Sequence, residues 1–423
     1  MSADTTGLRR TFSALGVRNF RLYFIGQTVS VSGHWMQTVA FAWLVLELTG
    51  DGVAVGAVTA AQFFPVLLIG PLGGLIADRL DKRKLLATTQ TMAAVVAGGL
   101  GVAVLTDRAE LWVVYAGATA LGILRAVDNP TQNALLMEMV GRERITNAVA
   151  LNSVVINGAR VVGPAIGGIL IVSVGIGLCF VVNAASYFGV IVAVIAMRPS
   201  ELDQPEPQPA GRGQLREALA YVRTEPRLRV VLLLVAMISV FAYQFEVSLP
   251  LFARFTFDGG AEMFGLMFAV LGVGAVAGGL YTAARGPTTR ADLVRTAAAF
   301  GLGLAVTAVA PTLWLALGAL LVAGGAGTSF LSHANAVLQL SSRPQMRGRV
   351  LALRSMAFLG VRPVGSITVG WVCEHVGPRY GLGLGAFAAI GVAAWARSSM
   401  PEIRAPDQPL RHPSDRPRPT EAI

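Results

Sequence analysis

The chain has 423 residues, of which 54% are hydrophobic and only 14% charged, and it contains 48 glycines. Soluble domains carry about 25% charged residues, so this composition excludes an ordinary globular domain and points to lipid as the solvent. The formal net charge of +10 raises a nucleic-acid reading, but the basic residues fall mostly in alternate loops between apolar runs and not on one face of a soluble module. No nucleic-acid partner is expected.

The N-terminal segment, 1–19, lacks the pattern of a cleavable signal and is expected in the cytoplasm. Apolar runs follow that are each long enough to cross a hydrocarbon core of about 30 Å as a helix. They lack the period-2 alternation of a membrane barrel, and lipid requires each to satisfy its own backbone. Six predicted spans, at 20–47, 54–77, 84–105, 111–138, 146–173 and 177–197, make a first bundle over 20–197. Span one carries His34 and Gln37 beside Trp35; the histidine either lines a cavity or is satisfied structurally. The loop after span two concentrates Asp78, Arg79, Asp81, Lys82, Arg83 and Lys84. Span four carries Arg125 and Asp128 one turn apart, where intrahelical pairing is the simplest expectation. Span five holds Arg160 and the run Gly163, Pro164, Ala165, Ile166, Gly167, Gly168, a pattern of small residues and a proline that lets helices approach closely.

A linker is expected over 198–228, proline-rich at first and then amphipathic, with the second part lying as a short helix on the membrane surface. Six more spans, at 229–254, 263–284, 291–310, 312–339, 350–373 and 380–397, make a second bundle over 229–397, and the tail 398–423 reads as disordered. Glu246 lies within span seven and Arg362 within span eleven. Charged groups at such depth are costly and are functional candidates by default. Glu246 is either a proton carrier, or permanently paired with an arginine, or in a watery vestibule. Arg160 and Arg362 either bind an anionic substrate or neutralise Asp128 and Glu246. Gly274 and Gly278 of span eight are expected to pack against the span-five glycines.

This topology puts Arg108, Arg254 and Arg379 on one side and Arg125, Arg160 and Arg362 mid-span, with all other Arg and Lys residues on the side of both termini. That side is expected to be the cytoplasm. The two cysteines, Cys179 and Cys373, sit in apolar runs as small hydrophobes, and no metal-ligand spacing is present. The halves also repeat. A shift of 202 residues sets Arg160 on Arg362, Gly163 on Gly365 and Gly168 on Gly370, as expected of a transporter built from two related halves.

The stretch Gly74 to Lys84, "GLIADRLDKRK", resembles the cytoplasmic-loop signature of the major facilitator superfamily: Gly74, three residues, the pair Asp78–Arg79, then a basic cluster with Lys82 and Arg83. Asp81 stands where that signature usually has glycine. With twelve spans in two related halves, the resemblance covers essentially the whole chain. It implies an all-α polytopic membrane protein with twelve transmembrane helices in two pseudo-symmetric six-helix bundles. It also implies a gating role in which Asp78 meets the N-terminal end of span eleven and Lys82 faces Glu138. The run from Gly163 to Gly168 resembles a span-five motif associated with exporters, although Ala150 and Ala159 stand where that motif has further glycines. Arg125 resembles the buried span-four arginine of proton-antiporter branches. Span one, opening on Asn19–Phe20–Arg21 and closing on Leu48–Thr49–Gly50, resembles the macrolide-efflux and enterobactin-exporter branch.

The expectation is a proton-coupled exporter, in the cell membrane, of a moderately hydrophobic small molecule such as a drug, macrolide or siderophore. It would work by alternating access, with spans one, four, seven and ten lining the cavity. Glu246, Asp128 and Arg125 are the proton-coupling candidates, and His34, Gln37, Arg160 and Arg362 the cavity candidates. The alternatives are an uptake symporter or facilitator, a lipid flippase, or a membrane scaffold or sensor. The expected partners are substrate, protons and the bilayer around a monomer. No cofactor, metal or enzymatic activity is expected, since no nucleophile–base pair or phosphate-cradling loop is present.

Overall fold

The computed structural model describes residues 12–203, 214–286 and 288–399. The expected tail from 400 onward, linker residues 204–213, residue 287 and the first eleven residues lie outside them. Among the described residues the secondary structure is helical, with no strand.

The first bundle comprises α1 (Arg18–Thr49), α2 (Gly52–Arg79), α3 (Lys82–Leu105), α4 (Leu111–Gly141), α5 (Glu143–Val174) and α6 (Ile176–Ile195). Caps set several boundaries. Asp51 accepts from the N–H groups of Val53 (2.6 Å) and Ala54 (3.3 Å) to start α2. Asp81 accepts from Arg83 (2.9 Å) and Lys84 (3.3 Å) to start α3. Asp81 has φ −60°, so the position needs a capping side chain and not glycine's freedom. Gly141 is different: its φ of +67° breaks the helical run between α4 and α5, a conformation that favours glycine.

A short helix, α7 (Gln214–Thr224), leads into the second bundle. Its Ala218 and Val222 are buried, Glu217 pairs with Arg349 at 2.7 Å, and the Tyr221 hydroxyl accepts from the Arg343 N–H at 3.2 Å. This helix is docked on the foot of the second bundle. It also ends earlier than expected, because Pro226 opens the next helix at a position where its missing N–H costs nothing.

The second bundle comprises α8 (Pro226–Phe241), α9 (Phe245–Phe257), α10 (Ala261–Ala284), α11 (Arg290–Val309), α12 (Leu313–Ser341), α13 (Arg347–Leu359), α14 (Arg362–His375) and α15 (Pro378–Ser399). Predicted spans seven and eleven, each expected as one helix, are broken: α8 from α9, and α13 from α14. The freed carbonyls find side-chain donors. Gln244 Nε2 donates to the Ser239 carbonyl at 2.8 Å, and Arg362 Nη2 to that of Tyr243 at 3.2 Å. Pro363, with no N–H to donate, favours the second break. Broken helices at membrane depth are tolerated where protein or a cavity covers them.

Among the described residues, eleven stretches are long and apolar enough to span a membrane. The remaining long helix, α1, has 32 residues and fills the place of predicted span one. Its Gln27, Ser30, His34 and Gln37 lower its hydropathy, and all four face the cavity described below.

Lipid tails are as apolar as leucine, so helix association here rests on close packing. Between bundles, α5 packs on α10 and α2 on α14. A Cβ on Gly168 would come within 2.8 Å of the Ala261 carbonyl, and one on Gly265 within 2.6 Å of the Pro164 carbonyl. The repeat-related Gly370 abuts Gly52 in the same manner, and a Cβ on Gly52 would lie 2.7 Å from the Gly370 carbonyl. Two pseudo-equivalent seams thus close the bundles against each other at the Gly52 end. Gly274 and Gly278 take no part in them. They face Leu321 and Gly325 of α12, and the α10 glycines that meet α5 are Gly265 and Gly272. The correction has a simple cause: α10 has two glycine faces, and spacing alone does not say which one a neighbour takes.

Candidate functional site

A cavity of about 390 Å³ lies between the bundles, with walls from α1 to α6 and from α9, α13 and α14. Predicted spans one, four and seven contribute as expected. No α12 residue lines it, so span ten does not, while spans two, three, five, six and eleven do.

Asp128 is 7% exposed and is held by neutral donors from α3: Thr89 Oγ1 donates to Oδ1, and Gln90 Nε2 to Oδ2 at 2.5 Å. The expected Arg125–Asp128 pair does not form. Arg125 instead directs Nη2 at His34 Nε2 on α1, and its guanidinium lies 6.0 Å from the Phe63 ring centroid. Asp128 is satisfied from α3 and Arg125 from α1, so helix neighbours override the local spacing.

Glu246, at the first turn of α9, forms a 2.8 Å ion pair with Arg362 Nη2, and both residues are buried. Of the readings open for Glu246, pairing with an arginine is the one observed. Arg362 also lies over Phe63 of the other bundle, 4.1 Å from its centroid. The repeat-related Arg160 lines the same cavity, 5.1 Å from the Trp35 ring centroid, and has no carboxylate partner among the described residues. Gln37 lines the wall and accepts a hydrogen bond from Asn183. Two buried polar atoms on the lining lack partners among the described residues, Gln90 Oε1 and Arg362 Nε.

Thr89, Gln90, Phe63 and Asn183 escape the sequence reading. The adjacent polar pair Thr89–Gln90 inside an apolar run was a usable signal; Phe63, an apolar residue among others, gives none. His333 is placed away from the cavity, 3.0 Å from the Thr288 hydroxyl.

At the opposite end from Gly52, Lys82 pairs with the buried Glu138 at 2.8 Å, as the resemblance implied. Arg83 donates to the Val194 carbonyl at 3.2 Å through Nε and Nη2. Asp78 and Arg79 are exposed and make no hydrogen bond or ion pair among the described residues. The expected contact of Asp78 with the second bundle is absent here, and a Cβ on Gly74 would meet nothing within 4 Å. The bundles are sealed against each other at the Gly52 end by the glycine seams. In the span-five run, Gly163 and Gly167 back onto Trp35 and Met36 of α1, Gly168 onto α10, and the Pro164 carbonyl faces Gly265.

Comparison with known proteins agrees with this architecture. A family model described as "Transmembrane secretion effector" matches residues 9–421. The chain is 27% identical to the staphyloferrin A transporter of Staphylococcus aureus over 60% of its own length and 64% of that protein, so it matches less than two thirds of that relative. It is 22% identical to the enterobactin exporter EntS of Citrobacter koseri, over 94% of this chain and 95% of the exporter. It is equally 22% identical to macrolide efflux protein A of Streptococcus pyogenes, over 85% and 91%. Among solved structures, the nucleoside transporter NupG superposes with a TM-score of 0.70 at 14% identity, covering 91% of this chain and 98% of NupG, which shows the shared fold. With two six-helix bundles, a polar cavity between them and a family match along nearly its whole length, the chain belongs to the transmembrane secretion effector family of the major facilitator superfamily.

Proposed function

We propose that the protein is a proton-coupled exporter of a moderately hydrophobic small molecule, working by alternating access in the cell membrane with both termini in the cytoplasm. The observation that carries the coupling is the setting of Asp128, a buried carboxylate on the cavity wall held by Thr89 and Gln90 and by no cation. It can gain or lose a proton without breaking an ion pair, and its bonds to α3 would loosen when it does. Glu246 is a weaker carrier because protonation would strand Arg362 without its counter-charge. Arg125, one turn from Asp128 on α4 and beside His34, fits a role in tuning Asp128.

Export is supported by the names of the relatives and by the glycine seam of α5. The aromatic walls, with Trp35, Phe63 and Phe358, suit a hydrophobic cargo. The distribution of Arg and Lys supports the orientation; on that reading the Asp78 end is the cytoplasmic side, where an exporter loads. Asp78, Arg79, Lys82, Arg83 and Glu138 would form the latch that closes that side. The test is substrate uptake into inside-out membrane vesicles, with macrolide, siderophore and lipophilic-cation panels and an imposed proton gradient. Accumulation that collapses with an uncoupler supports proton-driven export; accumulation only in right-side-out vesicles rejects export.

A further inference from the structure

The cavity is lined by three guanidinium groups, those of Arg125, Arg160 and Arg362, and by two carboxylates, those of Asp128 and Glu246. Their pairings are unequal. Glu246 is consumed by Arg362 and Asp128 by Thr89 and Gln90. Both carboxylates are therefore engaged, while Arg160 lies over Trp35 with no ion pair or side-chain hydrogen bond among the described residues. The Nε–H of Arg362, buried on the same wall, has no acceptor among the described residues. A cationic ligand would find only Asp128, already holding two hydrogen bonds from α3, in a cavity whose three guanidinium groups outnumber its two carboxylates. An anionic one would find a whole guanidinium and an unused donor, one from each bundle.

The arginine matters as a type. A guanidinium offers a planar fork of donors that matches a carboxylate in two parallel bonds, and stacking on an indole holds that fork in one orientation before the ligand arrives. Trp35 does this for Arg160, and Phe63 does it for Arg362 at 4.1 Å. On the α3 side, Gln90 Oε1 is a buried acceptor with no donor, so the ligand's other end has a place for one N–H or O–H. We infer that the cavity binds an amphipathic organic acid, its carboxylate held by Arg160 together with the free edge of Arg362, its apolar body against Trp35, Phe63 and Phe358, and a hydrogen-bond donor turned toward Gln90. This rests on the transport reading above and narrows its substrate class.

The test compares three probes with one aromatic body: naproxen, its primary amide and the matching amine. Binding is measured by calorimetry to the full chain in nanodiscs of zwitterionic lipid, with empty nanodiscs subtracting the partition of each probe into lipid. The carboxylate is expected to bind about tenfold or more tighter than the amide and the amine, the range of one charge-assisted hydrogen bond. Arg160→Gln should erase that preference, and Arg160→Lys, which keeps the charge but loses the fork, should retain part of it. The inference is overturned if the amine or amide binds as tightly as the acid, if the acid does not bind, or if Arg160→Gln keeps the preference in a variant whose melting temperature matches wild type. Flux of the same probes in proteoliposomes is scored separately. Preferred binding of the acid without its movement supports the anion site and counts against the exporter reading; movement of a cationic dye without preference for the acid does the reverse.

Discussion

The carboxylate of Glu374 on α14 accepts a 2.6 Å hydrogen bond from the backbone N–H of Gly52 on α2, tying the two bundles together at one end of the cavity. On the alternating-access reading proposed above, the bond would exist only while that end is closed. Glu374 is exposed, so water competes for it and its net worth is modest, about 1 kcal/mol. Glu374→Ala is expected to shift the population toward the state open at the Gly52 end by about fivefold, and Glu374→Gln, which keeps an acceptor, by less. Distances between spin labels at Thr49 and His375 report that population directly; an unchanged distribution in Glu374→Ala would remove Glu374 from the gate.

The glycine seams give a second expectation. Valine at Gly168 or at Gly370 drives a side chain into the backbone of Ala261 or Gly52, and backbone cannot step aside cheaply. Each substitution should hold its seam open and cut transport about tenfold. Gly391→Ala is the control, since a Cβ there meets nothing within 4 Å. Flux assays on the three variants at matched expression decide it, and equal flux in all three would show that seam closure does not limit turnover.

Lys82 and Glu138 form a pair whose acidic member is buried, 4% exposed. Lys82→Ala leaves that carboxylate without its partner and should destabilise the fold by about 1–3 kcal/mol. The Lys82→Ala, Glu138→Ala double variant should recover part of that loss, because the stranded charge is gone. Thermal unfolding of the detergent-solubilised variants completes the cycle. Additive losses would mean that the pair is not coupled.

The membrane architecture was readable because lipid imposes length and internal hydrogen bonding on every span, and runs of apolar residues obey that constraint openly. The breaks at Ala242–Gln244 and Gly360–Val361 were not readable: the surrounding residues are mostly apolar, and the carbonyls freed at the first are satisfied by Gln244 and by Arg362, the latter from a different helix. Glu246, Arg362, Asp128 and Arg125 stood out as charges in lipid, and all four line one cavity. Their partners did not follow from spacing. Arg125 and Asp128 lie one turn apart, yet each turns to a helix distant in sequence, reaching His34 and Thr89–Gln90. Intrahelical proximity is a weak contact, worth a few tenths of a kcal/mol, and a buried donor supplied by a neighbouring helix outweighs it.

The ion pair also predicts different responses to substitution of its two members. Glu246→Gln keeps an oxygen for Arg362 Nη2 and should lower turnover without uncoupling it, whereas Arg362→Ala strands Glu246 and should lower both stability and transport. Melting temperature and substrate flux on the two variants separate the cases. A Glu246→Gln protein that moves substrate but no protons would move the coupling site to Glu246.

The most direct test of the coupling mechanism is proton movement in proteoliposomes carrying an internal pH dye, triggered by a transported substrate, for wild type, Asp128→Asn and Glu246→Gln. Asp128→Asn should abolish the substrate-triggered pH change while substrate exchange down its own gradient continues, and Glu246→Gln should retain a reduced pH change. A full proton signal in Asp128→Asn would contradict the assignment of the proton path to Asp128.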